Sequence, residues 1–262
     1  KILVCDRLEE KVLDKFEELG EITNISESKT KTEDLKSNIV DTEIVVIRSG
    51  TKINKDILEN ANNLKIIARC GVGVDNVDVE EATNKKIYVT NSPNANIISV
   101  AELTIGLIIS AARKIHVSNN SLKDKKWDRN KFLGTELYQK QLGLVGFGKA
   151  AKEVAKRLTA FGMNIVFYDP YVDSSTIEAK KVDLDELLKT SDVISIHVVK
   201  TEETTNLINN EKLNLIKKGG ILVNTSRGGI IDEESLFQKA NEDLIFAGLD
   251  VFSQEPPDIN ET

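Results

Sequence analysis

The stretch Leu142-Gly143-Leu144-Val145-Gly146-Phe147-Gly148-Lys149-Ala150-Ala151 decides how this chain is read. A short apolar run breaks into two glycines and reopens as the helix-like KAAKEVAKRLTAFG, residues 149–162. Gly146, Gly148 and Ala151 match G-x-G-x-x-G/A, with Ala in place of the third glycine. In that pattern Gly146 permits a tight turn, Gly148 lets backbone approach a pyrophosphate, and a small residue at 151 lets the helix pack close to the strand. The first amides of the helix then face the anion with a partial positive charge. Glycines at a strand end are often only turns, so the motif alone leaves both readings open. The next strand-like run, Val166-Phe167-Tyr168-Asp169, ends on a carboxylate 21 residues past Gly148. That spacing suits hydrogen bonds from the adenosine ribose hydroxyls. Asp169 is followed by Pro170 and Tyr171, with no neighbouring Arg to receive a 2′-phosphate, so NAD is favoured over NADP.

Outward from this turn, β-rich runs alternate with amphipathic segments along the whole chain. Strands are expected at Lys1–Cys5, Glu43–Arg48, Lys65–Arg69, Ile87–Thr90, Leu142–Val145, Asn164–Tyr168, Val193–His197, Ile221–Asn224 and Leu244–Ala247. Leu8, Val12, Phe16 and Leu19 share one face of the first helical segment. Continuous apolar runs such as Ile44-Val45-Val46-Ile47 fit strands buried on both faces, as in parallel sheets. The pattern is α/β, with two doubly wound parallel-sheet domains: a flavodoxin-like substrate lobe and a Rossmann nucleotide lobe. The strand pattern restarts near residue 140, and the turn-rich NSPNAN lies at 91–96. The expected division is therefore 1–93 and 94–262. Ile97–Ala112 reads as a buried helix inside a segment, Asn96 to about Ser121, too long for an ordinary crossover.

Composition bounds the function. The 262 residues carry 35 basic and 42 acidic side chains, net −7, so no basic surplus exists to neutralise nucleic-acid phosphates. No charge-free apolar run is long enough to span a bilayer, because Glu102 interrupts the longest. Cys5 and Cys70 are the only cysteines, too few for a disulfide framework or a cysteine zinc cluster, and no metal site is expected. A reduced, cytoplasmic setting is the default expectation.

Substrate chemistry in such a fold is expected at the carboxyl ends of the strands. Three segments end there: Ser195-Ile196-His197, Asn224-Thr225-Ser226-Arg227-Gly228-Gly229 and Gly248-Leu249-Asp250. Arg227 offers a permanent, two-pronged charge for a carboxylate or carbonyl; the lesser alternative is an Arg that caps a helix or pairs on the surface. Glu255, before Pro256-Pro257, is a candidate that an exposed turn would also explain. His116 reads as a packed or solvated helix residue.

These segments together resemble the D-isomer-specific 2-hydroxyacid dehydrogenase family. The resemblance runs through Ile47-Arg-Ser-Gly-Thr-Lys, Ala68-Arg-Cys-Gly-Val-Gly-Val-Asp-Asn-Val-Asp, Asn91-Ser-Pro-Asn-Ala-Asn, the Trp127–Leu137 stretch, Phe167-Tyr-Asp-Pro, Asn224-Thr-Ser-Arg-Gly-Gly-Ile-Ile-Asp and Leu249-Asp-Val-Phe-Ser-Gln-Glu-Pro-Pro. The Trp127–Leu137 stretch and the CGVGVDNVD loop lean toward the family's phosphoglycerate branch. Ala151 for glycine and Val199 for proline are mild departures.

The resemblance implies catalytic roles for Arg227, holding the carboxylate and carbonyl oxygen of a 2-hydroxy acid, and for Glu255, hydrogen-bonding an acid–base imidazole. It places Gly146, Gly148, Lys149, Ala150, Asp169, His197, Val198, Thr225, Ser226, Arg227 and Asp250 around NAD. Arg48, Ser49, Arg69, Val72, Gly73 and Arg227 would hold the substrate, with the amides of Val72 and Gly73 on its carboxylate and Arg48 facing a distal phosphate. The family's catalytic His falls about 20 residues past Glu255, beyond Thr262, so this sequence holds the Arg and Glu of the family's catalytic trio and not its His. The implied reaction is NAD-dependent oxidation of 3-phospho-D-glycerate to 3-phosphooxypyruvate, opening serine synthesis. Glyoxylate or hydroxypyruvate reduction is the alternative within the family, and an NAD-sensing, corepressor-like binding protein the alternative outside it. A homodimer through the nucleotide lobe is implied as well; nucleic acid and membrane are not expected partners.

Overall fold

The computed structural model describes residues 1–29 and 31–258. The polar stretch Asn260-Glu261-Thr262 lies outside the described residues. The chain forms two compact units, Lys1–Asn96 and Ile97–Thr262.

The first unit is a five-stranded parallel sheet: β1 (Ile2–Val4), β2 (Ile22–Asn24), β3 (Ile44–Ile47), β4 (Ile66–Arg69) and β5 (Tyr88–Asn91). The strand order β2-β1-β3-β4-β5 is the flavodoxin-like one, with its switch point between β1 and β3. Strand alternation explains the apolar runs. Leu3, Val45 and Ile47 join the core on one face, while Ile2, Val4 and Val46 join the core on the other. The helix Glu10–Glu17 packs Leu13 and Phe16 on that second face. Leu19 departs from the expected stripe: it lies past the helix end and is 73% exposed.

The second unit is a six-stranded parallel sheet: β6 (Gln141–Val145), β7 (Asn164–Tyr168), β8 (Lys180–Lys181), β9 (Val193–Ile196), β10 (Gly220–Asn224) and β11 (Ile245–Leu249). Its order β8-β7-β6-β9-β10-β11 is, counted from β6, the 3-2-1-4-5-6 arrangement of dinucleotide-binding folds. Leu142, Leu144 and Val223 face one core, and Val145, Ile196 and Leu222 the other. Phe147 and Phe167 stack with centroids 4.0 Å apart beneath the helix Lys149–Thr159.

Two features differ from the sequence reading. The sequence pattern marks neither β2 nor β8; both are short edge strands with no fully buried residue. The Asn96–Ser121 segment is two helices, Ile97–Arg113 and Ile115–Lys123, broken at Lys114 (φ 52°), where the Lys114 ammonium sits 5.4 Å from the Phe246 ring centroid. The broken segment also leaves Ile98, Leu103, Ile115 and Leu122 exposed. Only one face of Ile97–Arg113 is buried, through Ala101, Thr104, Ile108, Ala111 and Ala112.

Candidate functional site

The glycine turn follows β6 at the switch point of the second sheet, beside the end of β9. Gly146 has φ 89°, and an added Cβ would stand 2.8 Å from the His197 carbonyl carbon and oxygen and 2.9 Å from Val198 Cγ1. This glycine is demanded by the chain itself, in conformation and in space. Gly148 is different. Its φ of −76° suits any residue, and an added Cβ would meet nothing within 4 Å. The chain's own packing gives no reason for glycine there; a ligand brought against the backbone does. Gly148 caps Lys149–Thr159, and the N–H groups of a helix's first turn point out along its axis, where an anion is favoured. These residues therefore fit a pyrophosphate.

Asp169 closes this turn. Its Oδ2 accepts from the Phe147 amide at 2.8 Å and its Oδ1 from the Tyr171 amide at 2.8 Å. The carboxylate is thus fixed beside the phosphate turn with remaining lone pairs for ribose hydroxyls. Losing it removes charge-assisted bonds, so Asp169→Ala should weaken NAD binding about tenfold. It should also narrow the preference over NADP, because no negative charge then repels the 2′-phosphate. Titration of both nucleotides checks this; an unchanged preference would refute the assignment.

His197 follows β9 and shares its Nε2 with Ser195 Oγ at 2.9 Å. Desolvation lowers its pKa to about 4, so the imidazole is neutral at physiological pH and suited to structure at the turn, not to proton transfer. His116 is exposed.

At the end of β10, Asn224 organises the next loop from a buried position. Its Oδ1 accepts from the Ser226 amide at 3.0 Å and Ser226 Oγ at 2.9 Å, and its Nδ2 donates to the Arg227 carbonyl at 2.8 Å. Arg227 Nη1 donates to the Ser226 carbonyl at 2.7 Å. Thr225 turns its hydroxyl inward onto Thr104 Oγ1, 2.8 Å away, which leaves its backbone for contacts elsewhere. Asn224 and Thr104 were not singled out in the sequence. An Asn two residues before a Ser is a local signal for the first; no local signal exists for the second. Asp250 lies at the end of β11, its amide donating to the Asn224 carbonyl at 3.0 Å. Glu255 is exposed, and its Oε1 accepts from the Phe252 amide at 3.2 Å.

The first unit has its own cluster at the carboxyl ends of β1, β3 and β4. Asp6 accepts from Lys31 Nζ at 2.5 Å and from the Arg48 amide at 2.6 Å. Burial alone would raise the Asp6 carboxyl, but Lys31 and the Arg48 amide outweigh it and hold it below the usual value. This fixes the backbone of Arg48 and Ser49 at the switch point. Past β4, the Arg69 guanidinium lies where a side chain on Gly71 would be: Arg69 Nη1 is 1.3 Å from an added Cβ. Asn91 Nδ2 donates to the Val72 carbonyl at 2.7 Å, and the Ser92 amide to the Gly71 carbonyl at 2.8 Å. Among the described residues, the amides of Val72 and Gly73 donate to no backbone carbonyl. They remain available to an anion.

Among the described residues, no helix is long and apolar enough to cross a membrane, and no group of three His, Cys, Asp or Glu side chains could hold a metal.

Comparison with known proteins agrees with this geometry. A family model described as "D-isomer specific 2-hydroxyacid dehydrogenase, NAD binding domain" matches residues 105–262. A D-3-phosphoglycerate dehydrogenase of Methanocaldococcus jannaschii is 48% identical over 99% of this chain and 50% of its own length. A hydroxypyruvate reductase of Thermotoga maritima is 45% identical over 98% of this chain and 84% of its own length. The NAD-dependent formate dehydrogenase of Staphylococcus aureus, solved in complex with NAD, superposes with a TM-score of 0.88 at 27% identity, over 99% of this chain and 83% of that one. The chain spans about half the length of the phosphoglycerate dehydrogenases of Methanocaldococcus jannaschii and Archaeoglobus fulgidus that it matches.

Proposed function

The chain belongs to the D-isomer specific 2-hydroxyacid dehydrogenase family, and from that membership we propose that it oxidises 3-phospho-D-glycerate to 3-phosphooxypyruvate with NAD, the step that opens serine synthesis. The observation that carries this reading is Arg227, presented at the carboxyl edge of the sheet that bears the nucleotide turn and held in its loop by Asn224. NAD, when bound, would supply the hydride acceptor for the carbon that bears the 2-hydroxyl, and the hydroxyl proton would pass to the family's acid–base imidazole. Arg227 pins the carboxylate and the 2-oxygen in one plane, which stabilises the developing carbonyl. Glu255 orients the family's acid–base imidazole and favours its protonated form. Ser226 and Asp250, with the backbone of Val198 and Thr225, border the nicotinamide half. The first unit acts as the substrate lobe: the Val72 and Gly73 amides take the carboxylate, and Arg48, Ser49 and Arg69 take the phosphate.

The relative named hydroxypyruvate reductase, matched over 84% of its length, supports a second reading in which no distal phosphate is needed. Kinetics with both substrates separate the two. Phosphoglycerate should be preferred over glycerate, and Arg48→Ala should cost about tenfold or more in KM for phosphoglycerate, with glycerate nearly unaffected. Equal or better use of glycerate would sink the phosphate assignment.

A second copy of the chain is proposed to cover the apolar residues around the broken helix. Ile98, Leu103, Ile115 and Leu122 are exposed there, and Trp127 and Leu133 are each 80% exposed. Sedimentation should give a dimer at micromolar concentration; a monomer would refute it.

A further inference from the structure

One carboxylate ties the loop that carries Arg227 to the loop that carries Glu255. Glu233 is the first residue of the helix Glu233–Asn241. Its Oε1 accepts from the Gly229 amide at 3.3 Å and from the Ser253 amide at 2.7 Å, and its Oε2 accepts from Ser253 Oγ at 2.8 Å. The helix does not need Glu233 as its cap. Asp232 already fills that place, accepting from the Ser235 amide at 3.1 Å and from Ser235 Oγ at 2.7 Å. All three donors to Glu233 therefore belong to the two loops.

The loops meet where the carboxylate joins them. An added Cβ on Gly228 would lie 1.8 Å from the Phe252 carbonyl oxygen, so only glycine allows the approach. Gly229 has φ 76°, in the region that favours glycine. On the far side, the Phe252 amide donates to Glu255 Oε1 at 3.2 Å. A connected path thus runs from Arg227 through Gly228 and Gly229 to Glu233, then through Ser253 and Phe252 to Glu255.

We infer that Glu233 is a positioning residue, which holds the Arg227 loop in register with the Glu255 loop. The roles of Arg227 and Glu255 in turnover rest on the function proposed above; the clamp itself rests on the three hydrogen bonds. A misplacement of the order of an ångström between groups that act on one substrate costs up to about a hundredfold in rate. Glutamine can replace the carboxylate conservatively. Its Oε1 still accepts from both amides, and its Nε2 can donate to Ser253 Oγ in reverse sense.

The test uses the full-length protein and six variants: Glu233→Ala, Glu233→Gln, Ser253→Ala, Arg227→Ala, Glu255→Gln and Glu233→Ala with Glu255→Gln. Hydrogen exchange at the Gly229 and Ser253 amides should speed up in Glu233→Ala, return most of the way in Glu233→Gln, and change by less in Ser253→Ala. The kcat of Glu233→Ala should fall about tenfold to a hundredfold with NADH affinity unchanged, and its effect should not multiply with that of Glu255→Gln. Unchanged exchange at both amides, or multiplying effects on kcat, would overturn the inference. If Arg227→Ala and Glu255→Gln each retain full turnover, the proposed function fails instead, and the exchange measurement still decides the clamp.

Discussion

In the Arg227→Ala variant, kcat/KM for the 2-hydroxy acid falls by about a thousandfold, the scale of losing one preorganised donor to a developing oxyanion. Thermal stability falls far less than activity does, because Asn224 still bonds the Ser226 amide and the Arg227 carbonyl when the guanidinium's own bond to the Ser226 carbonyl is lost. Arg227→Lys recovers only a small part of the loss. Lysine keeps the charge but lacks the planar fork that meets a carboxylate and a neighbouring oxygen together. Steady-state kinetics on the full-length protein, with nucleotide titration alongside, separate turnover from binding. A kcat/KM within tenfold of the unaltered protein would remove Arg227 from the chemistry.

The two glycines of the nucleotide turn should respond in opposite ways. Gly148→Val leaves the melting temperature nearly unchanged, because nothing in the chain occupies the space its side chain would enter. Nucleotide binding is lost in that variant, since the branched side chain stands where the pyrophosphate meets backbone. Gly146→Ala instead costs stability in the absence of any ligand. The left-handed backbone alone costs about 1–2 kcal/mol for a residue with a side chain, and the contact with the His197 carbonyl adds to it. Scanning calorimetry and NADH fluorescence on both variants decide the matter. Intact binding in Gly148→Val would show that the turn is not a phosphate site.

What the sequence made legible follows from burial. Central strands such as Ile44–Ile47 and Gln141–Val145 bury nearly every residue, so each announces itself as an apolar run. The edge strand β8 is Lys180-Lys181, exposed and without a hydrophobic residue, and no pattern could mark it. β2 is three residues long and only half-buried. The break at Lys114 is equally silent, because lysine carries no intrinsic preference for a left-handed backbone. In the site, residues of special chemistry at fixed spacing, such as Gly146, Gly148 and Asp169, stood out. Glu233 and Asp6 did not. Each makes its bonds to segments distant in sequence, Ser253 for one and Lys31 and Arg48 for the other, and only the folded chain brings those donors to it.

The neighbour relation between β6 and β9 also sets an order of events during synthesis. Leu142 pairs with Val193, so some fifty residues must be made and folded back before the strand beside the glycine turn arrives. A chain emerging from its amino end therefore presents Gly146 well before His197, the residue against which that glycine packs. Until β9 docks, the turn lacks one wall. Acquisition of nucleotide affinity by a growing or refolding chain would thus register closure of the second sheet, and free nucleotide would favour the closed sheet over its open precursors by mass action.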